Sequence, residues 1–379
     1  MPTPPPAGGC WPTPDQVLLL RAGLADAPRA REAWDRWRAR NTLGAADHPS
    51  ARLLPLVCKN LISEGLDEVD KNVLKGAYRA TWLSNQLLID RAAAALRALE
   101  AAGIKTMVLK GAALVVAHYG DAGARPMDDI DVLIPPGDAD RALAVLRGEG
   151  WEIHPPRQRP GRRRTAHAEH LTDGRGHWLD LHWYSLATSG NDDRFWARSV
   201  EIEISGVSTR TLSPIDQLFH VAVHGGTWGE LPAVRWMADA VTVSRTAPTG
   251  LDWETLVDEA IERHVTLSVT ASLEHLAQDV EFPVPEAVLA RLRPAPKAPF
   301  ERRVYAASMR PVGRGRWLIV ELDRFRRRAR LDPSLGYSEF LQDYFGVGSR
   351  RELIGPLARK AGSTALVRAR HLARLDRAA

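Results

Sequence analysis

The sequence predicts an α+β fold, a small mixed β-sheet flanked by N-terminal helices and followed by a C-terminal α-helical region. Three observations predict it. Apolar residues recur at three- and four-residue intervals up to Gly103, the pattern then changes to short β-type runs between Ile104 and Leu212, and helical spacing returns from residue 214. We divide the 379 residues accordingly into a leader (1–15), an N-terminal helical region (16–103), a sheet-bearing core (104–212) and a C-terminal helical region (213–379).

In the N-terminal region, Leu18, Leu19, Leu20, Trp34 and Trp37 predict helix over 16–46. Residues 51–62 and 69–102 continue it, the second as a long run through Leu74, Tyr78, Trp82, Leu88, Ala92, Leu96 and Leu99 that Gly103 closes. Strand 104–109 then meets a tight turn at Lys110-Gly111 and a short helix from Ala112 to Tyr119. A loop from Gly120 to Met127 leads into strand 128–134, which Pro135-Pro136 ends. Residues 138–150 form an amphipathic helix and 151–153 a further strand. Five arginines within 157–164 predict a hairpin or loop, and 177–183 alternates as a third acid-bearing strand. A β-like patch over 199–212 precedes helices near 214–225, 231–246, 252–264, 267–279 and 286–293.

Composition narrows the function. With 45% hydrophobic and 26% charged residues, the chain is an ordinary globular one, neither disordered nor collagen-like. Two cysteines, Cys10 and Cys58, build neither a disulfide framework nor a four-thiolate zinc site, and they suit a reducing cytoplasm. No segment approaches the ~20 uninterrupted apolar residues of a membrane span, so we expect a cytoplasmic protein without a membrane partner. The net charge, 51 − 46 = +5, gives a nucleic-acid partner only weak support.

The chemistry sits on acidic strands. Asp129 and Asp131 stand at i and i+2, so on a strand they project to one side while Ile130 and Val132 enter the core. Asp180 lies between Leu179 and Leu181 on another strand. Carboxylates so crowded repel unless a divalent cation lies between them, and hard oxygen ligands of this kind suit Mg²⁺ or Mn²⁺. Taken alone, the short Asp-Ile-Asp alternation reads equally well as a half-exposed strand edge. The ordered set of glycine turn, Asp-x-Asp strand and later acid is what separates the two readings.

Together, Val108-Leu109-Lys110-Gly111-Ala112-Ala113-Leu114, Arg125-Pro126-Met127-Asp128-Asp129-Ile130-Asp131-Val132-Leu133 and Leu179-Asp180-Leu181-His182-Trp183 resemble the nucleotidyltransferase superfamily that includes DNA polymerase β. They are most similar to its bacterial branch whose turn reads Leu-Lys-Gly. Asp216-Gln217-Leu218 to His224 and Leu231 to Asp239 extend the resemblance to roughly residues 50–245. It implies attack of an acceptor hydroxyl on the α-phosphorus of a nucleoside triphosphate, expected to be ATP, with release of pyrophosphate. Asp129 and Asp131 would hold the metal on the triphosphate. Both, with Asp180, would hold the ion that acidifies the acceptor, and Asp180 would be the base.

Gly111 is expected to let backbone N–H groups approach phosphate oxygens. Ala112 stands where the superfamily has Ser or a second Gly, and Lys110 and Arg125 are expected to supply the missing phosphate contacts. His182 shares a face with Asp180 and is expected to support that carboxylate or the nucleotide. Bland readings accompany the remaining candidates. Arg157, Arg159, Arg162, Arg163 and Arg164 read as a solvated tip before a cleft rim, His220 and His224 as structural before metal-binding, and the basic run 324–330 as helix surface before nucleic-acid contact. Two rival functions stay open, an inactive nucleotide-binding or regulatory module of the same fold and an enzyme that adds nucleotides to RNA ends. The resemblance implies a nucleoside triphosphate and a hydroxyl acceptor as partners and fixes no particular acceptor.

Overall fold

A computed structural model describes residues 9–154, 164–187, 191–227, 234–295, 297–310 and 314–359. The single helix expected over 16–46 is two, Pro14–Leu24 and Ala27–Arg38. Pro28 accounts for the break, because it lacks an N–H and is tolerated only in a first turn, where no intrahelical donor is needed. Thr13 opens the first helix with a capping box: its hydroxyl accepts from the Gln16 N–H while the Gln16 side chain accepts from the Thr13 N–H. The segment expected as 51–62 is likewise split, into His48–Ala51 and Leu54–Leu61. The long helix runs from Glu68 to Ala101, 34 residues, with Asp67 as its cap.

Seven strands form one mixed sheet: β1 (Met107–Leu109), β2 (Ile130–Leu133), β3 (Glu152–Ile153), β4 (Ala168–Thr172), β5 (Trp178–His182), β6 (Val200–Ile204) and β7 (Val207–Thr211). Their order is β3-β4-β5-β2-β1-β7-β6. The central pairings are β1 antiparallel to β2, β2 parallel to β5 and β1 parallel to β7. The β-like patch at 199–212 is the β6–β7 hairpin. Strand β4 had not been anticipated as a strand. It pairs antiparallel with β5 and sets His170 opposite Asp180.

Alternation along the central strands sorts the side chains onto two faces. Val108, Ile130, Val132, Leu179 and Leu181 pack against Leu88, Leu96 and Leu99 of the long helix. Met107, Leu109 and Leu133 turn the other way, into a core shared with Trp34, Leu61, Leu218, Phe219 and Met237. Burying each such side chain stabilises by about 1.5–3 kcal/mol, which forces the intervening acids to the face that the C-terminal helices cover.

Those helices are Pro214–Gly225, Arg235–Thr246, Trp253–Glu262, Thr266–Val280 and Glu286–Leu292, close to their expected positions. Pro299–Ser308, Arg314–Leu331 and Tyr337–Phe345 follow. The basic run does not lie simply on a surface. Arg328 is buried with its guanidinium 3.7 Å from the centre of the Tyr184 ring, and Arg327 pairs with Asp323. Arg164 pairs with Asp332 and Glu339, whereas Arg157, Arg159, Arg162 and Arg163 lie outside the described residues. Cys10 and Cys58 are buried free thiols. Among the described residues no helix is long and apolar enough to cross a membrane.

Candidate active site

Strand β1 delivers the first component. Leu109 is extended, but Lys110 adopts φ +47°, the left-handed region that a lysine rarely occupies, and opens the short helix Lys110–Leu114. That turn aims the lysine back along the sheet, so that its Nζ donates to Asp131 Oδ1 at 2.6 Å. Gly111 is required by its neighbours. A Cβ there would stand 3.1 Å from the Met127 side chain and 3.3 Å from an Arg125 guanidinium nitrogen, so glycine lets the loop before β2 close over the turn.

Strands β2 and β5 deliver the acids. Their parallel register places Asp131 directly beside Asp180 and Leu133 beside His182. His182 therefore stands diagonal to Asp131, and its Nε2 lies 3.0 Å from Asp131 Oδ1. The expected support of Asp180 by His182 is corrected accordingly. Asp180 is instead met by His170 of β4, whose Nδ1 lies 2.5 Å from Asp180 Oδ1. From the sequence alone His170 had no role, because the weak alternation of Ala168-Glu169-His170-Leu171-Thr172 hid its strand.

The acids differ in electrostatic state. Burial works to raise the Asp131 carboxyl, yet the Lys110 ammonium and His182 override it and hold the group far below the usual carboxylate range. Asp129, one residue before β2, is pushed up to about 6, first by burial and then by the charges of Asp131 and Asp180. Burial also works to lower the Lys110 ammonium, and the pull of Asp131 outweighs it, so lysine and aspartate hold each other ionised.

A cleft of about 310 Å³ surrounds these groups, lined by Lys110, Gly111, Arg125, Asp129, Asp131 and Asp180 from the sheet side. His220, His224, Arg235, Trp236 and Asp239 line it from the C-terminal helices. Arg125 lines this cleft with two of its three guanidinium nitrogens already engaged. It is buried and pairs in bidentate fashion with Asp239 at 2.7 and 2.8 Å, and the Tyr119 hydroxyl donates to the same carboxylate at 2.9 Å. Arg235 is the cation that sequence reasoning left without a role. Its guanidinium donates to the Pro126 carbonyl, forms no ion pair among the described residues, and is lowered to about 9 by burial. His220 is fully buried with Nε2 3.1 Å from the Ser185 carbonyl, and its ring lies near-parallel to that of His224 at 6.2 Å.

The donor set fits a divalent ion. One ligand atom each from Asp131, Asp180 and His182 lie within 4.8 Å of one another. Asp129 lines the same cleft but is not part of that group. His182 thus joins the carboxylates as a candidate ligand that the sequence alone had not offered to the metal.

A family model described as uncharacterised nucleotidyltransferase matches residues 49–280 of this chain. No curated protein matches. Among solved structures, the antibiotic-resistance factor ANT(2'')-Ia is similar at 19% identity, covering 50% of this chain and 97% of its own, with a TM-score of 0.34. An antigenic nucleotidyltransferase-like protein from Paracoccidioides brasiliensis is similar at 14% identity, covering 56% and 94%, also with a TM-score of 0.34.

Proposed function

This chain belongs to the uncharacterised nucleotidyltransferase family, and from that premise we propose that it moves AMP from ATP onto a hydroxyl of a small molecule, peptide or protein. One observation supports the reading above all others: the register pairing of Asp131 with Asp180, next to His182 and Asp129 and in reach of cleft-lining cations. Asp129, Asp131, Asp180 and His182 would hold the divalent ion, Mg²⁺ or Mn²⁺. When bound, such an ion neutralises triphosphate charge and acidifies the acceptor hydroxyl.

The residues of the chain then divide the remaining work. Lys110 and Arg235 bind phosphate oxygens, Lys110 as a point charge and Arg235 as a planar fork. The acceptor oxygen attacks the α-phosphorus, the bond from that phosphorus to the bridging oxygen of the β-phosphate breaks, and pyrophosphate leaves. The hydroxyl proton passes to Asp180, which His170 holds in place by its other oxygen. Arg125 acts as a positioning residue, because its pairing with Asp239 fixes the loop that carries Asp129.

The test is calorimetric binding of each non-hydrolysable nucleoside triphosphate, with and without Mg²⁺, to the wild type and to Asp129→Ala/Asp131→Ala. Mg²⁺-dependent binding, tightest for the adenine analogue and lost in the double variant, is expected. No binding of any triphosphate at millimolar concentration would favour a non-catalytic module of the same fold instead. The buried and paired arginines of the 324–330 run leave the RNA-end reading with little to support it.

A further inference from the structure

The long helix Glu68–Ala101 keeps an apolar stripe that nothing in the described structure covers. Val69, Val73, Leu83 and Leu87 are 70, 42, 56 and 55% exposed, and the exposed Gly76 and Ala80 continue the line between them. The intervals 69, 73, 76, 80, 83, 87 alternate four and three, the spacing with which one helix seats another. At 1.5 Å per residue the stripe is about 27 Å long.

Gly76 strengthens the case. Glycine is a poor residue for a helix interior, and here a Cβ would meet nothing within 4 Å, so no contact among the described residues explains it. At the middle of an apolar stripe, a residue without a side chain admits the backbone of a second helix to close range. Lys75 and Arg79 flank the stripe on one side, and neither enters an ion pair among the described residues. Trp82, 47% exposed, adds an aromatic on that side.

We propose that this stripe is the docking site for an acidic amphipathic helix of a partner polypeptide. Charge selects that occupant. In an antiparallel second copy Val69 would meet Leu87, Val73 would meet Leu83 and Gly76 would meet Ala80, but Arg79 would then face its own counterpart. A helix with glutamates beside its apolar seam satisfies Lys75 and Arg79 together. The opposite face of the same helix braces the active-site loop. The Asn85 side chain donates to the carbonyls of Ala122 and Arg125 at 2.6 and 2.7 Å and accepts from the Met127 N–H at 3.1 Å, and the Tyr78 hydroxyl donates to Asp121 at 2.7 Å. The partner would thus be held behind the segment that leads to Asp129.

The experiment uses the full chain and two fluorescein-labelled synthetic helices of about three heptads, with leucine on the seam and either glutamate or lysine beside it. By anisotropy, the glutamate peptide is expected to bind saturably and about tenfold or more tighter than the lysine peptide. Leu83→Asp/Leu87→Asp should weaken it by about tenfold or more, and Lys75→Glu/Arg79→Glu should reverse the preference. Gly76→Gln separates docking from folding, since it should keep or raise the melting temperature while weakening binding. Equal binding of the two peptides, or no saturable binding, overturns the proposal. So does a dimer in sedimentation velocity that Gly76→Gln dissociates, which would assign the stripe to a second copy.

Discussion

Asp131 Oδ1 receives the Lys110 ammonium at 2.6 Å and lies 3.0 Å from His182 Nε2, so a single carboxylate oxygen of β2 ties together the ends of β1 and β5. Asp131 is 1% exposed, and its charge is tolerable only while that company persists. Lys110→Met should therefore cost about 3 kcal/mol in urea denaturation, the usual penalty for stranding one member of a buried pair. Adding Asp131→Asn to that variant should recover part of the loss. Unchanged stability in Lys110→Met would mean that another group meets the Asp131 charge.

The state of Asp129 makes a prediction about pH. Its carboxyl sits at about 6 in the folded chain against an ordinary 3.8, so between those values the fold retains a proton that the unfolded chain has released. Its contribution to folding is thus complete at low pH and is lost as the pH climbs through about 6. Asp129→Asn should stabilise the metal-free protein at pH 8, by roughly 1 kcal/mol once partial solvent exposure is allowed for. Metal binding must run the other way, because the ion competes with the proton. Mn²⁺ affinity, followed by electron paramagnetic resonance, should rise through about pH 6 in the wild type and be flatter in the variant.

The two cleft arginines should fail in different ways. Arg125→Met strands a buried Asp239 and should lower stability by about 3–5 kcal/mol, with Arg125→Lys a poor rescue because a point charge cannot reproduce a bidentate grip. Arg235→Ala removes no ion-pair partner and should leave the melting temperature nearly unchanged while weakening ATP about tenfold. Thermal melts and nucleotide titrations on the same preparations separate these outcomes.

His170 is 58% exposed in its side chain, so its contact with Asp180 adds little to folding, within about 1 kcal/mol. If it orients the base, His170→Ala should reduce kcat about tenfold without moving the nucleotide Kd, and His170→Gln should restore part of the rate. An equal loss in kcat and in nucleotide affinity would give His170 a binding role instead.

How much of this was legible beforehand depended on the range of the interaction concerned. Strand β1 was readable as a short apolar run closed by Lys110-Gly111, and β2 and β5 because Ile130, Val132, Leu179 and Leu181 alternate with acids, which placed Asp129 and Asp131 on one face, whereas only the β2–β5 register set Asp180 beside Asp131. The break at Pro28 was local and also readable, but the apolar periodicity on both sides masked it. Arg125 was assigned to phosphate because its partner Asp239 lies 114 residues away, and no local pattern announces a bidentate pair across that distance. The role of His182 turned on register, since a parallel β2–β5 pairing moves it from Asp180 to the diagonal of Asp131. The turn at Lys110-Gly111 was expected, but the left-handed backbone of Lys110 within it had no signal, because lysine is not a residue that announces positive φ.

The ion pair between Arg125 and Asp239 also bears on how this protein can be taken apart. The sheet supplies the acids, yet the cleft is closed by His220, Arg235 and Asp239 from helices that follow the last strand, and Met107, Leu109 and Leu133 share a core with those helices and with Trp34 and Leu61. A fragment confined to residues 104–212 would carry every carboxylate assigned to the chemistry while leaving a guanidinium stranded and one face of the sheet bare. Catalytic function here is indivisible from the helical flanks, so insertions are best tolerated in surface loops and swapping the core as a cassette between relatives would require carrying its wrapping along.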